Sequence, residues 1–271
     1  MNYGFMPIPL EVVSKVVPFG TVLTLPATGS EMNNGAVISF EHGKFSVMCQ
    51  LAFPKFSILD PTLTFTLPRI QVANGVIDAF VHTTEQYLTY PVDAKVQDRI
   101  AEGILQTLIE IGETTVAEAE NYEARANLVW SATLALNGVV GAGVPQDWTT
   151  HMIGHELTAL LGIDHAQTLA IVLPSLLEVR REQKRAKLLQ YAERVWRIES
   201  GSEEEKVDLV ILKTREFFES LGVKTRLSQY GVGADKIPVV IEQLKAHGMT
   251  ALSETQDLTL DISQTILEGA M

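Results

Sequence analysis

The sequence predicts a mainly α fold: a multi-helical domain preceded by a short β-rich segment. Three observations predict it. Residues 1–68 are rich in Val, Thr, Phe, Pro and Gly and fall into short β-prone runs. From residue 69 onward, apolar residues recur at helical spacing. Several of those helical runs stop on a glycine just past the last apolar position, as helix C-termini do. The expected division is therefore a β-rich part at 1–68 and a helical part at 69–271, and 46% apolar residues suffice for a sizeable core.

The elements follow in order. "GTVLTLPA", "GAVISFEHGKFSVMC" and "FPKFSILDP" read as short strands, with "EHG" as a hairpin turn. "GVIDAFVHTTEQY" is a mild, half-apolar helix. "VQDRIAEGILQTLIEIG" puts Val96, Ile100, Ile104, Leu105 and Leu108 on one stripe. "YEARANLVWSATLALNGVVGAG" reads as a more apolar, buried helix ending in glycines. "TTHMIGHELTALLG" and the run "HAQTLAIVLPSLLEVRREQKRAKLLQYAERVW" follow, then "EEEKVDLVILKTREFFESLG", "PVVIEQLKAHG" and "LTLDISQTILEGA". No internal repeat or low-complexity linker is present.

Composition excludes some functions. The formal net charge is −12 with no basic run, which argues against nucleic acid and anionic membrane surfaces as partners. No stretch of about 20 apolar residues is available to span a bilayer. One cysteine, Cys49, rules out an internal disulfide framework, fits a reducing cytoplasm and reads as a small buried hydrophobe. The first residues lack the charged segment, apolar run and cleavage site of a signal peptide.

Six histidines occur, and four fall in or near helical segments. Asp78 and His82 lie four apart, and so do His151 and His155, so each pair shares one helix face. His165 follows a Gly-Ile-Asp turn at the start of the next helix. A catalytic divalent cation needs neutral imidazoles, one or two anionic oxygens and an open position for substrate. Asp78, His82, His151 and His165 are assigned to such a cation between helices of a bundle, with His155 handling a proton beside the open position. The competing reading stands beside it: any single pair at this spacing is a weak signal, and ordinary buried histidines bonded to backbone show the same pattern. The order His151-Met-Ile-Gly-His155-Glu156 is not H-E-x-x-H, which argues against a metalloprotease. His42, in the expected turn, and His247, before a glycine at a helix end, read as surface residues or caps.

Three longer stretches carry a resemblance: "LTLPATGSEMNNGAVIS", "FSILDPTLTFTLPRIQVANGVIDAFVHTTEQY" and "GAGVPQDWTTHMIGHELTALLGIDHAQTLAIVLP". From about residue 18 onward the chain resembles the iron-containing (group III) alcohol dehydrogenases, and within them the butanol dehydrogenase-like aldehyde reductases. The resemblance implies a helical metal-binding domain like the C-terminal domain of dehydroquinate synthase. It implies Fe2+ or Zn2+ held by Asp78, His82, His151 and His165, with His155 beside nicotinamide and substrate as a proton relay. Asp164-His165-Ala166 stands where much of the family has Pro-His-Gly, a departure that leaves the ligand intact.

The resemblance also implies NAD(P)(H), contacted by Thr24, Leu25, Thr28, Ser30, Lys44 and Leu63, and a short-chain alcohol or aldehyde substrate. Read without it, "TGSE" is a capping box and Lys44 a solvated edge lysine. A cytoplasmic homodimer is implied too. The family's Gly-Gly-Gly-Ser pyrophosphate turn has no counterpart, and Met1 falls where the family's nucleotide-binding domain would be finishing. The β-rich part is accordingly expected to be a remnant of that domain, with exposed strand edges and weakened dinucleotide affinity. A catalytically silent metal-binding remnant is the alternative.

Overall fold

The longest uninterrupted buried run belongs to the helix Arg69–Tyr87 (α1), in which every residue from Val72 to Tyr87 is buried. A helix apolar on one face only would sit at a surface; one buried all round must be the centre of a bundle. The computed structural model describes residues 13–40 and 43–271. Around α1 pack Lys95–Ala117 (α2), Tyr122–Leu136 (α3), Thr149–Leu161 (α4) and His165–Val179 (α5). Arg185–Arg194 (α6) and Glu203–Ser220 (α7) form the next layer. Ile237–Ala246 (α8) and Leu260–Gly269 (α9) close the far side against α4 and α5. Phe80 of α1 meets Phe217 and Phe218 of α7 at ring distances of 5.3 and 5.4 Å, which carries the core through both layers.

The β content is small. Thr21–Val22 (β1) pairs in parallel with Ser57–Ile58 (β4), and the hairpin Gly35–Phe40 (β2) with Gly43–Met48 (β3) is antiparallel. The register pairs Phe40 with Gly43, so the turn expected at "EHG" has its flanks where they should be. Glu41 and His42, within that turn, lie outside the described residues. A last two-residue pair, Ala251–Leu252 (β5) with Leu258–Thr259 (β6), precedes α9. Val17, Val22, Phe56 and Ile58 are exposed around β1 and β4.

Several expectations are corrected. Val96 is 65% exposed, because it sits in the first turn of α2 before that helix reaches the core; Ile104, Leu105 and Leu108 are buried as expected. The helix α3 is not buried all round: Tyr122 and Trp130 face outward. The long run from His165 is two helices. Between them Arg180 turns to Asp257 at 2.7 Å, and Lys184 turns to Asp147 at 2.9 Å and to the Leu88 carbonyl at 2.6 Å. Those distant carboxylates break a run that local propensity would continue. "TGSE" starts no helix, so its capping-box reading falls. His247 does cap α8, yet it is largely buried, its Nδ1 2.7 Å from the fully buried Glu156. Cys49 is buried, as its reading as a small hydrophobe expects.

Candidate metal centre

Spacing on α1 creates the first half of the site. At 100° per residue, positions 78, 82 and 85 fall within about 60° of one another, so Asp78, His82 and Glu85 share a face. Phe80 points away into the aromatic core.

The second half comes from α4 and α5. The start of α4 is pinned three ways. The Thr149 N–H donates to Asp147 Oδ1 at 2.9 Å, Lys184 holds Asp147 Oδ2, and the Asp147 N–H donates to the Glu85 carbonyl at 2.8 Å. The helix ends at Gly162, whose φ of 69° is the left-handed conformation glycine adopts without strain. That reversal lets α5 begin with His165 beside α4, and the Thr168 hydroxyl ties the two helices through the Gly154 carbonyl at 3.1 Å.

These elements converge on one point. Asp78 Oδ1 lies 3.8 Å from His82 Nε2, 3.8 Å from His151 Nε2 and 3.6 Å from His165 Nε2. Ligand atoms of Asp78, His151 and His165 lie within 4.8 Å of one another. The His82 ring stacks on His151 at 4.6 Å and 18°. Distances of this size are too long for hydrogen bonds. They sit just above the roughly 3.3–3.4 Å that separates neighbouring ligand atoms in a tetrahedral site with ~2.0–2.1 Å bonds. Asp78 Oδ1 and His151 Nε2 are buried with no hydrogen-bond partner, a costly state that a cation would relieve. The donor set and the orphaned atoms therefore fit a divalent ion held by Asp78, His151 and His165, with His82 completing the set.

Access is one-sided. The His165 side chain is 25% exposed while that of Asp78 is 2% exposed, so an approaching molecule meets His165 first. His155 is itself buried, its ring 4.9 Å from His165 and 6.1 Å from His151.

The electrostatics are unequal. Burial opposes ionisation of Asp78, but the surrounding imidazoles, His82 foremost, hold its carboxyl well below the usual carboxylate range. Burial lowers His82 to about 4 and His165 to about 3. Burial, with His165, His151 and Lys44 nearby, takes His155 well below the ordinary imidazole value. His151 goes the other way: burial disfavours its charge, yet Glu85 and Asp78 carry it up to about 9. Burial raises the Glu85 carboxyl, and the adjoining His151 pulls it back. Of the three rings that face Asp78, His151 is thus the one held in the charged form, so its proton is the one a cation has to displace.

The residues expected at the dinucleotide are exposed, with one exception. Thr24, Leu25, Thr28 and Ser30 are exposed on the loop between β1 and β2, and Leu63 is exposed on a short 3-10 helix, Pro61–Thr64. The loop is seated directly on α1: a Cβ at Gly75 would come within 2.3 Å of the Pro26 carbonyl oxygen. Asn33 holds its other end, donating to the Thr28 carbonyl at 2.9 Å. Lys44 is the exception. It is half-buried on β3, its pKa lowered by burial and supported by the charge of Asp78, so it is not a solvated edge lysine.

Residues 72–268 match the family described as Fe-containing alcohol dehydrogenase, C-terminal. Over 260 residues, 95% of this chain and 67% of the relative, the sequence is 60% identical to the NADPH-dependent aldehyde reductase YqhD of Escherichia coli. The chain belongs to the Fe-containing alcohol dehydrogenase family.

By family it falls among oxidoreductases. It is also 40% identical over 235 residues to NADH-dependent butanol dehydrogenase A of Clostridium acetobutylicum, covering 85% of this chain and 60% of that one. Among solved structures, E. coli YqhD superposes with a TM-score of 0.95 at 59% identity, covering 96% of this chain and 67% of that chain. NADH-dependent butanol dehydrogenase A of Thermotoga maritima gives 0.89 at 32%, covering 95% and 67%. The chain spans about two thirds of the length of these relatives. Among the described residues no helix is long and apolar enough to cross a membrane.

Sequence reasoning passed over Glu85. Its carboxylate receives the Thr150 N–H at 2.6 Å and the His151 N–H at 3.3 Å, and it contacts His151 Nδ1. The signal was present: a third polar residue on the Asp78–His82 face, with no Lys or Arg at helical spacing to explain it.

Proposed function

We propose that this chain carries the metal-binding and substrate-facing part of an NAD(P)(H)-dependent alcohol/aldehyde oxidoreductase acting on short-chain substrates. The observation that carries the reading is Asp78 Oδ1 facing three imidazole nitrogens at 3.6–3.8 Å inside a buried pocket. Membership of the alcohol dehydrogenase family and 60% identity to an NADPH-dependent aldehyde reductase supply the reaction class. A bound Fe2+ or Zn2+ supplies Lewis acidity toward the substrate oxygen, and a nicotinamide carries the hydride.

The chain's own residues do the rest. Asp78 offers the one negative charge, and His82 and His165, already neutral, offer lone pairs without proton loss. His165 borders the accessible side with the His155 ring packed beside it, so they orient the substrate. His155, held low by burial, takes the hydroxyl proton at its unprotonated ring nitrogen in the oxidation direction; in the reduction direction it passes to the substrate oxygen a proton first drawn from solvent. Thr24, Thr28 and Ser30 present exposed hydroxyls to the dinucleotide, Leu25 and Leu63 present exposed apolar surface, and Lys44, half-buried, feels the charge of Asp78. The same proposal includes the division at 68/69 into a dinucleotide-facing part and a metal-holding part, and a homodimer in the cytoplasm.

The test is titration of the purified chain, loaded with Zn2+ or Fe2+, with NADPH and NADH, followed by addition of butyraldehyde. Saturable oxidation of one nicotinamide, dependent on the cation, is expected. A chain that binds the cation but neither nicotinamide would sink the proposal.

A further inference from the structure

The structure assigns to Glu85 the task of presenting His151 to the cation: Glu85 is a positioning residue that selects which ring nitrogen of His151 is free to coordinate. The inference rests on the metal-holding role proposed above and adds a residue to it.

The geometry leaves His151 little choice. Its Nδ1 is against Glu85 Oε2, and its Nε2 is aimed at Asp78 Oδ1, 3.8 Å away. A carboxylate can only accept, so the hydrogen of a neutral His151 sits on Nδ1 and the lone pair sits on Nε2, facing the cluster. Glu85 is itself fixed. Its Oε1 receives the N–H groups of Thr150 and His151 at the start of α4, where orphaned helix donors and the positive end of the helix dipole favour an anion. Its backbone carbonyl receives the Asp147 N–H. One buried side chain from α1 thus sets both the position of α4 and the rotation of the ring that α4 carries. Among the described residues, His82 and His165 have no carboxylate on Nδ1, so His151 alone among the ligands is oriented this way.

Glutamine cannot substitute. If its amide oxygen stays on the Thr150 N–H, its NH2 faces Nδ1, which must then accept, and the ring hydrogen moves to Nε2 where it blocks coordination. If the amide turns over, its NH2 meets the Thr150 N–H donor to donor. The first orientation keeps both hydrogen bonds but blocks coordination, the second loses the Thr150 bond, and in both the shape of the side chain is retained.

The experiment compares Zn2+ affinity, by competition with a chromophoric chelator, in the wild-type chain, Glu85→Gln and Asp78→Asn. It also records 15N shifts of the His151 ring in the zinc-loaded wild type. Glu85→Gln is expected to weaken Zn2+ binding 10- to 100-fold, the usual cost of removing a ligand-orienting hydrogen bond. The wild-type ring is expected to coordinate through Nε2 with its hydrogen on Nδ1. Affinity within twofold of wild type in Glu85→Gln, or a wild-type His151 ligating through Nδ1, overturns the inference. Unchanged affinity in Asp78→Asn would instead overturn the metal-holding role on which it rests. Because the wild-type spectrum does not depend on a variant folding, it decides the matter even if Glu85→Gln is unstable.

Discussion

Asp78→Asn is expected to lower divalent-cation affinity by roughly 100- to 1000-fold while leaving the fold standing. The magnitude follows from binding energies of about 10–16 kcal/mol shared over four ligands, which is ~2.5–4 kcal/mol for each. The direction follows from the pocket. Asp78 is the one anion among the assigned ligands, its Oδ1 makes no hydrogen bond within the protein, and asparagine preserves its shape. Removing the charge therefore removes coordination without emptying space. Elemental analysis with chelator competition reads the first effect, and far-ultraviolet circular dichroism the second. Wild-type metal content and affinity in Asp78→Asn would refute the assignment.

Phe80→Ala is expected to destabilise the metal-free chain by about 3–5 kcal/mol, the usual cost of deleting a fully buried aromatic ring. Phe80 lies two residues from Asp78 and two from His82, on the opposite side of α1, with no exposure and rings of Phe217 and Phe218 against it. The two substitutions thus separate the faces of one helix: Asp78→Asn spares the fold and removes the site, and Phe80→Ala weakens the fold and leaves every ligand in place. Denaturant unfolding in the presence of chelator measures it. A loss below about 1 kcal/mol would mean that α1 is not the centre of the core. Saturating cation should restore part of the loss, about 2.7 kcal/mol at a hundredfold excess over Kd, because binding favours the folded state.

How much of this was legible in the sequence depends on the distance over which each feature is decided. The Asp78–His82 and His151–His155 pairs were legible because a spacing of four is a local property of one helix. The ends of α4 and α7 were legible for the same reason, marked by Gly162 and Gly222, both left-handed. The break between α5 and α6 was not, because Arg180 and Lys184 are drawn aside by Asp257 and Asp147, 77 and 37 positions away. His247 was read as a surface residue or a cap; it caps α8 but does not lie open on the surface. Its inward turn depends on Glu156, 91 positions earlier, and nothing near "AHG" reports that. Glu85 was hidden by base expectation: a lone glutamate on a helix ordinarily faces water. Only the fold shows that α1 has no face in water beyond its first turn.

The most direct measurement is anomalous diffraction at the iron and zinc edges from crystals of the chain grown with each cation. One peak is expected, bounded by Asp78 Oδ1 and Nε2 of His82, His151 and His165 at roughly 2.0–2.2 Å. A peak elsewhere, or none while those four side chains hold the positions described above, would contradict the assignment of this pocket as a metal centre.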